Sequence, residues 1–432
     1  MKLLKILLNI GLFIVFVNVY GQNPKPDAYQ FGEGIKFTTN DGHEFKISSY
    51  LQPYFETKAY TEANLPEANR FRMRRARLRL DGESANKRFS YRFQFDLTGN
   101  SEFEEQEGLY LLDAVINYEL TNQITIAFGQ RASYSENREL FMNSNSLQLV
   151  ERSRLSSAFA TIREFGLFIN GNFKTGGSTI LRPYFTLTNG DGGNVLNRDY
   201  GGLKVGGRLD FLPFGTFSNF GQFRQTDVMR ELTPKLVFGA IYSYNFGISD
   251  RRGRTSGDIL YLNANNEESL PDFAKFGVDF LFKYKGFSAI GEFVKTRAFV
   301  PNDITQRIRE NGTIATTFPV DGVENVENYV RGRMMLGEAY NFQMGYLFKS
   351  GYSIDTQYTR LNSDQHSFMN NSTFYNRPDY YTIGLSKYLA RNYGAKIQTS
   401  FTYIKGNVIN NNLGQPIEGN EWIGRIMLTF SL

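Results

Sequence analysis

The 432-residue sequence has no cysteine, two histidines and one tryptophan. Without cysteine there is no disulfide framework, no cysteine nucleophile and no thiolate metal site. His43 and His366 alone leave little material for a histidine triad or a zinc centre. Beyond the extreme N-terminus no uninterrupted apolar run approaches about 18 residues, so no transmembrane helix is expected. What is plentiful is aromatic: 39 Phe and 26 Tyr, together with 41 Gly. Mean hydropathy is nevertheless negative. A soluble chain of this length would usually form two or three domains. This mixture instead suits one long β-structure whose residues alternate between two surroundings.

The first residues resemble an export signal rather than structure. Lys2 and Lys5 form a basic start, Ile6 to Val17 is apolar, and Val19-Tyr20-Gly21 supplies a cleavage site. The apolar run is too short for a comfortable bilayer crossing. Residues 1–21 are therefore expected to be a cleaved signal peptide, with Gln22 as the mature N-terminus. Loss of Lys2 and Lys5 lowers the formal charge by two, from +5 to +3. Residues 22–43 are then a short periplasmic N-terminal segment, and 44–432 a transmembrane β-barrel.

Period-two alternation runs through nearly all that follows. In Phe89-Ser90-Tyr91-Arg92-Phe93-Gln94-Phe95-Asp96-Leu97 the odd positions are apolar and the even ones polar. Sixteen such segments can be marked. The first eight are 44–58, 70–82, 87–98, 109–120, 122–131, 163–174, 178–189 and 202–213. The second eight are 234–247, 273–283, 287–298, 329–348, 351–361, 379–389, 392–405 and 420–432. Most have the length of a tilted strand crossing a bilayer core. The fold expected is all-β: a closed antiparallel barrel of about 16 strands, because an open edge in lipid would leave backbone groups unpaired.

Connections alternate between short turns and long loops, the habit of outer-membrane barrels, whose long loops face outward. Residues 214–233 break the rule. They lie on the short-turn side yet are long and rich in Phe (Phe214, Phe217, Phe220, Phe223), which fits either a periplasmic flap or a misjudged strand. The C-terminal run Ile426-Met427-Leu428-Thr429-Phe430 ends near an aromatic, as final strands of such barrels do.

A barrel this wide usually keeps an aqueous channel. The longest outer loop, 132–162, is expected to fold into the lumen. It carries Arg138, Arg152 and Arg154, balanced by Glu136, Glu139 and Glu151. In the second segment, Arg75, Arg77 and Arg79 share the face opposite Ala76, Leu78 and Leu80, forming a ladder at about 6–7 Å spacing. A charge on the lipid face costs about 2–4 kcal/mol near the midplane, so this face should line the lumen. Arginine ladders favour anions. Arg72 and Arg74 have lipid-face parity, which fits a headgroup position, a subunit contact or a bulge that turns them round. The competing reading is structural: the ladder pairs with lumen acids such as Asp96 and Asp113 and holds the wall together.

Residues Phe71 to Leu80, followed by Lys87-Arg88-Phe89-Ser90-Tyr91-Arg92-Phe93-Gln94-Phe95-Asp96, resemble the phosphate-selective porin O and P family. Phe128-Gly129-Gln130 and Leu149-Val150-Glu151-Arg152 resemble that family's fifth strand and the end of its constriction loop. The resemblance is strong over 44–175 and diffuse beyond. It implies a trimeric, anion-preferring pore, with Arg74, Arg75 and Arg152 at basic constriction positions. The sequence departs from the pattern in having no lysine in 132–162, where Arg138 is the nearest basic substitute.

The expected function is an outer-membrane diffusion channel for small polar or anionic solutes, with Arg74, Arg75, Arg77, Arg79, Arg138, Arg152 and Arg154 as constriction candidates. Lipids, solutes and two further copies of the chain are the expected partners. No cofactor, metal or nucleic acid is expected, since Gly-rich pieces such as Gly190-Asp191-Gly192-Gly193 lack a strand-to-helix context. A structural or adhesive barrel is the alternative. A barrel hydrolase would have to use His366, within Ser363-Asp364-Gln365-His366-Ser367. An energised transporter with a plug domain fails on length, because only Gln22 to Gly42 precede the first strand.

Overall fold

The computed structural model describes residues 25–26, 29–60, 67–99, 108–194, 198–367, 377–390, 392–410 and 416–432. The expected signal peptide lies outside the described residues. Sixteen long strands form the barrel. They are β1 (Glu44–Tyr60), β2 (Ala68–Glu83), β3 (Phe89–Asp96), β4 (Tyr110–Thr121) and β5 (Ile124–Arg131). Then come β6 (Glu164–Gly171, continued by Phe173–Gly176), β7 (Thr179–Thr188), β8 (Lys204–Leu212), β9 (Lys235–Asn245), β10 (Asp272–Tyr284) and β11 (Phe287–Phe299). β12 (Gly337–Leu347), β13 (Tyr352–Ser363), β14 (Asp379–Tyr388), β15 (Ala395–Lys405) and β16 (Glu421–Ser431) complete the wall. Consecutive strands pair antiparallel, and β16 returns to β1 from Glu421↔Tyr60 to Ser431↔Tyr50. The barrel is closed, so the first and last strands leave no unpaired sheet edge in the wall. Residues Ile35–Thr38 add a short strand to the start of β1, pairing Ile35 with Ile47.

The side-chain pattern is that of a soluble protein turned inside out. Phe238, Tyr242, Phe276, Phe342, Ile354, Ile383, Phe401 and Ile426 are large, apolar and exposed on the outer face. Lys204, Arg208, Asp279, Glu292, Gln343, Lys396 and Gln398 are buried on the inner face. Such an arrangement is stable only where the outside is hydrocarbon and the inside holds polar partners. Near the long-loop end, Tyr358, Tyr381, Tyr403 and Trp422 stand on neighbouring strands β13 to β16 with consecutive ring centroids 5.0, 6.3 and 4.3 Å apart. This is an aromatic girdle segment of the kind found at membrane interfaces.

Fifteen of the sixteen expected strands start and end within three residues of the observed ones. The exception is 329–348, whose first part is not a strand. Val326–Arg331 forms a short helix, with the Asn325 side chain accepting from Asn328 N. Val330, Met334 and Leu336 turn inward to pack with Ile248, Tyr261 and Phe273 beneath the loops following β9 and β11. Burial of three apolar groups on one side overrode the apparent alternation. The two-residue turn Lys285-Gly286 between β10 and β11 has φ of 49° and 96°, as a type I′ hairpin requires.

Candidate anion pathway in the lumen

Loop 132–162 leaves β5 and folds into the barrel, where most of its residues are buried. It contains two short helices, α1 (Arg138–Phe141) and α2 (Arg154–Phe159). Polar residues alone could not hold it there, because each buried polar group needs a partner. The wall supplies them. On one side Arg138 reaches Asp210 and Asp279, both at 2.7 Å, while Arg208 bonds the same two carboxylates. Glu136 accepts from Lys275 at 2.8 Å and lies 3.4 Å from Lys204. Burial pushes the Glu136 carboxyl up, but the two lysines outweigh it and hold it below its usual range. On the other side Lys396 and Gln398 of β15 donate to Leu147 O at 2.6 and 3.0 Å. Apolar residues share the load: Met142 packs with Leu212, Val237, Leu281 and Ile290, and Leu155, Ala158 and Phe159 pack against β11 to β16.

Residues 214–233 are an inward flap and not a strand. They enter from the short-turn end and meet the loop inside the lumen. Gln225 Nε2 donates to Glu139 Oε1 at 2.9 Å, and its Oε1 accepts from Gln148 N at 2.8 Å and from Gln343 Nε2 at 3.1 Å. Lys283 donates to Gly221 O and Thr226 O, and Gly286 N donates to Asp227. Of the four Phe that drew attention in the sequence, only Phe217 is deeply buried; Phe214 and Phe220 are exposed. The useful signal was polar: Gln222, Gln225, Thr226, Asp227 and Glu231 sit in one connection and all are buried. Loop and flap together occupy the lumen and bond the wall on several sides, from Asp210 of β8 to Gln398 of β15.

Another side of the lumen is lined by β2. Its register with β1 shifts at Gln52/Pro53: Gln52 faces Arg75, Pro53 faces Met73, and Arg74 is the extra residue. Pro53 has no N–H to give the ladder, which suits it to a bulge. The bulge turns every residue above it, correcting the lipid-face parity expected for Arg72 and Arg74. Phe71 is 85 % exposed on the outer face, and Arg74 is buried beside Arg75 on the inner face. Arg70, Arg72, Arg74, Arg75, Arg77 and Arg79 therefore form one inward series along the strand.

Their partners differ. Arg74 Nε donates to Glu151 Oε1 at 2.5 Å, and Arg75 donates to Glu151 Oε2 and to Gln52 Oε1, both at 3.1 Å. Burial raises the Glu151 carboxyl, but Arg74 and Arg75 bring it down to about 2. Arg77 is sealed against Asp96 at 3.0 Å and also donates to Tyr50 and Ser144. Arg79 shares Asp81 with Arg92 near the short-turn end. Asp113 pairs with Arg163, not with the ladder. Arg138 is buried between its two aspartates, away from the open volume. Arg152 donates to the backbone carbonyls of Glu139 and Met142, bracing the loop. Arg154 stacks over Tyr380, 5.8 Å from its centroid.

Above Glu151 lies a cavity of about 440 Å³ between loop 132–162 and the walls of β1, β2 and β13 to β16. Its lining holds ten cations (Lys58, Arg70, Arg72, Arg74, Arg152, Arg154, Arg252, Arg254, Arg377 and Arg425) and three carboxylates (Glu56, Glu151 and Glu421). Six of these cations, Lys58, Arg70, Arg252, Arg254, Arg377 and Arg425, are not among those the sequence marked, and Arg72 carried lipid-face parity there. Arg252 and Arg254 come from the loop after β9 and donate to carbonyls of Ser157, Ala158 and Ala160 at the end of α2. No local pattern marks such loop arginines as neighbours of β2. Beside His366, Asp364 is engaged by Arg331, and Ser367 bonds Met334 O and Leu336 N. Among the described residues no group of three or more His, Asp or Glu could hold a metal ion.

A closed sixteen-stranded barrel with an apolar exterior and a polar, arginine-lined interior defines an outer-membrane channel of the porin class. The sequence model of the phosphate-selective porin O and P family matches residues 54–313, and the chain belongs to that family. Among solved structures it is similar to the outer membrane channel DcaP of Acinetobacter baumannii, at 12 % identity and a TM-score of 0.51, over 92 % of this chain and 99 % of that one. It is also similar to Pseudomonas putida OprB, at 10 % identity and a TM-score of 0.52, over 91 % and 95 % of the two chains. At these identities the likeness is one of fold. No curated protein matches the sequence.

Proposed function

We propose that the protein is an anion-biased diffusion channel for small hydrophilic solutes, with phosphate or similar oxyanions as its preferred cargo. The observation that carries this reading is the cavity in which ten cations face three carboxylates. Anions collected there would follow β2 past Arg74 and Arg75 to Arg79 and Arg92, whose side chains are partly exposed at the short-turn end. A low-dielectric wall strengthens such a field and concentrates the favoured ion. The constriction lies where Glu151 meets Arg74 and Arg75, with Arg152 positioning the loop. Homotrimeric assembly and export with cleavage after Gly21 belong to the same proposal. Purified protein in a planar bilayer under a KCl gradient should give an anion-selective reversal potential. A cation-selective sign would defeat the proposal. Size exclusion in mild detergent tests the trimer, and N-terminal sequencing of protein from membranes tests the cleavage.

A further inference from the structure

Most acids that face lumen arginines are sealed into the wall. The side chains of Arg77 and Asp96 are 3 % and 0 % exposed, and those of Arg138 and Asp279 are 2 % each. Glu151 is different. Its side chain is 22 % exposed, it lines the cavity, and it is carried by a loop rather than by a wall strand. Its carboxylate spans two consecutive guanidiniums: Oε1 accepts from Arg74 Nε, and Oε2 from Arg74 Nη2 and Arg75 Nη2, both at 3.1 Å. A planar two-oxygen anion on guanidinium N–H groups is how a solute carboxylate or phosphate would be held at the same place. The loop's other two acids have different partners. Glu136 faces Lys275 and Lys204, and Glu139 bonds Ser153, Ser156 and Gln225.

We propose that Glu151 is an internal counter-anion. Its carboxylate occupies the Arg74–Arg75 site while no solute is there, and an oxyanion arriving from the cavity passes by exchanging with it. This rests on the anion-conducting reading above. Exchange avoids stranding two guanidiniums without an anion in a desolvated site, which would be costly. It also sets a preference among anions. An ion with two oxygens can replace both of Glu151's carboxylate oxygens, whereas a halide, with one centre, cannot. Glu151 thus raises the threshold for passage and sharpens discrimination, and it does so through charge rather than width.

The test is block of chloride current by added inorganic phosphate in planar bilayers, for wild type, Glu151→Gln and Glu151→Asp. Glu151→Gln keeps the side-chain size and removes the competing charge, so half-block should occur at roughly tenfold lower phosphate concentration. Glu151→Asp keeps the charge but withdraws it by one methylene, so its half-block should fall between the two. Should Glu151→Gln fail to assemble, the Asp variant decides the matter. Flux of an uncharged sugar into liposomes, measured on each assembled form, reports the width of the passage separately from its charge. Unchanged phosphate affinity in the assembled variants overturns the proposal. So does a sugar flux that rises in step with phosphate affinity, since the loop would then simply have moved. A cation-selective wild type instead overturns the underlying function, which keeps the two failures distinguishable.

Discussion

The side-chain amide of Gln225 donates to the Glu139 carboxylate at 2.9 Å, joining a segment that enters the barrel at the short-turn end to a loop that enters at the long-loop end. The same amide's oxygen accepts from Gln148 and Gln343, so loop, flap and β12 meet at one residue. The two insertions support each other inside the lumen. Gln225→Ala would leave Glu139, Gln148 and Gln343 each short of a partner, and a buried polar group left unsatisfied costs about 1–3 kcal/mol. The expected outcome is a flap that fluctuates away from the loop. Single-channel recording should show added conductance states and larger current noise than in wild type.

Arg77 and Asp96 form a pair that is sealed from water. Arg77→Ala would strand the Asp96 carboxylate, and breaking a buried pair this way costs about 3–5 kcal/mol. The barrel should unfold at lower temperature in detergent, while its reversal potential should stay close to wild type. Arg74→Ala, which removes a guanidinium that lines the cavity, should do the opposite, weakening anion preference more than thermal stability. If both variants shift selectivity equally, the division of the ladder into wall-bracing and solute-facing arginines is wrong.

Two loop carboxylates give opposite pH behaviour. Glu151 sits at about 2, below its usual value of 4.5, so its contribution to stability is present above about pH 4.5 and is lost only as pH falls through about 2. Selectivity measured from pH 5 to 8 should therefore not change on its account. Asp191, between β7 and β8, is buried, accepts from Ser249 and lies near Asp250 and Asp199. Burial above all lifts it to about 8, against the Ser249 hydrogen bonds. The fold prefers its neutral form, so this contribution is present at low pH and fades as pH rises from about 4 to about 8. Asp191→Asn should match wild-type melting at pH 4 and exceed it at pH 9.

Gly286 closes the hairpin after β10 at φ 96°, and a Cβ there would collide with both Arg230 Nη1 and Leu347 O. Gly286→Ala combines backbone strain with a clash against the flap's own anchor, because Arg230 donates to Lys285 O at 2.7 Å. A loss of about 1–3 kcal/mol is expected, visible as a lower unfolding temperature of the folded barrel on heat-modifiability gels.

The wall was legible in the sequence because β-structure between lipid and water has a period of two residues and each strand states it separately. Phe89, Tyr91 and Phe93 point out, and Gln94 and Asp96 point in, as the alternation required. The rule failed where one residue changed the count. Arg74 is a bulge opposite Pro53, and from there upward parity alone sends Arg72 to the wrong face. It failed again at 329–336, where Val330, Met334 and Leu336 found an apolar cluster among the loops. Arg138 and Arg152 were visible as charges but not as braces, since Asp210, Asp279 and the Met142 carbonyl lie far away in sequence or belong to a loop bend.

By itself, then, the sequence determined a closed sixteen-stranded barrel with a wet interior, because local alternation and connection length suffice to define a wall. Tertiary structure alone decided what the interior does. It brought Glu151 onto Arg74 and Arg75, carried Arg252 and Arg254 to the same cavity, and set Gln225 against Glu139. Those contacts join segments from separate parts of the chain, and their charges combine only after the barrel has closed around them.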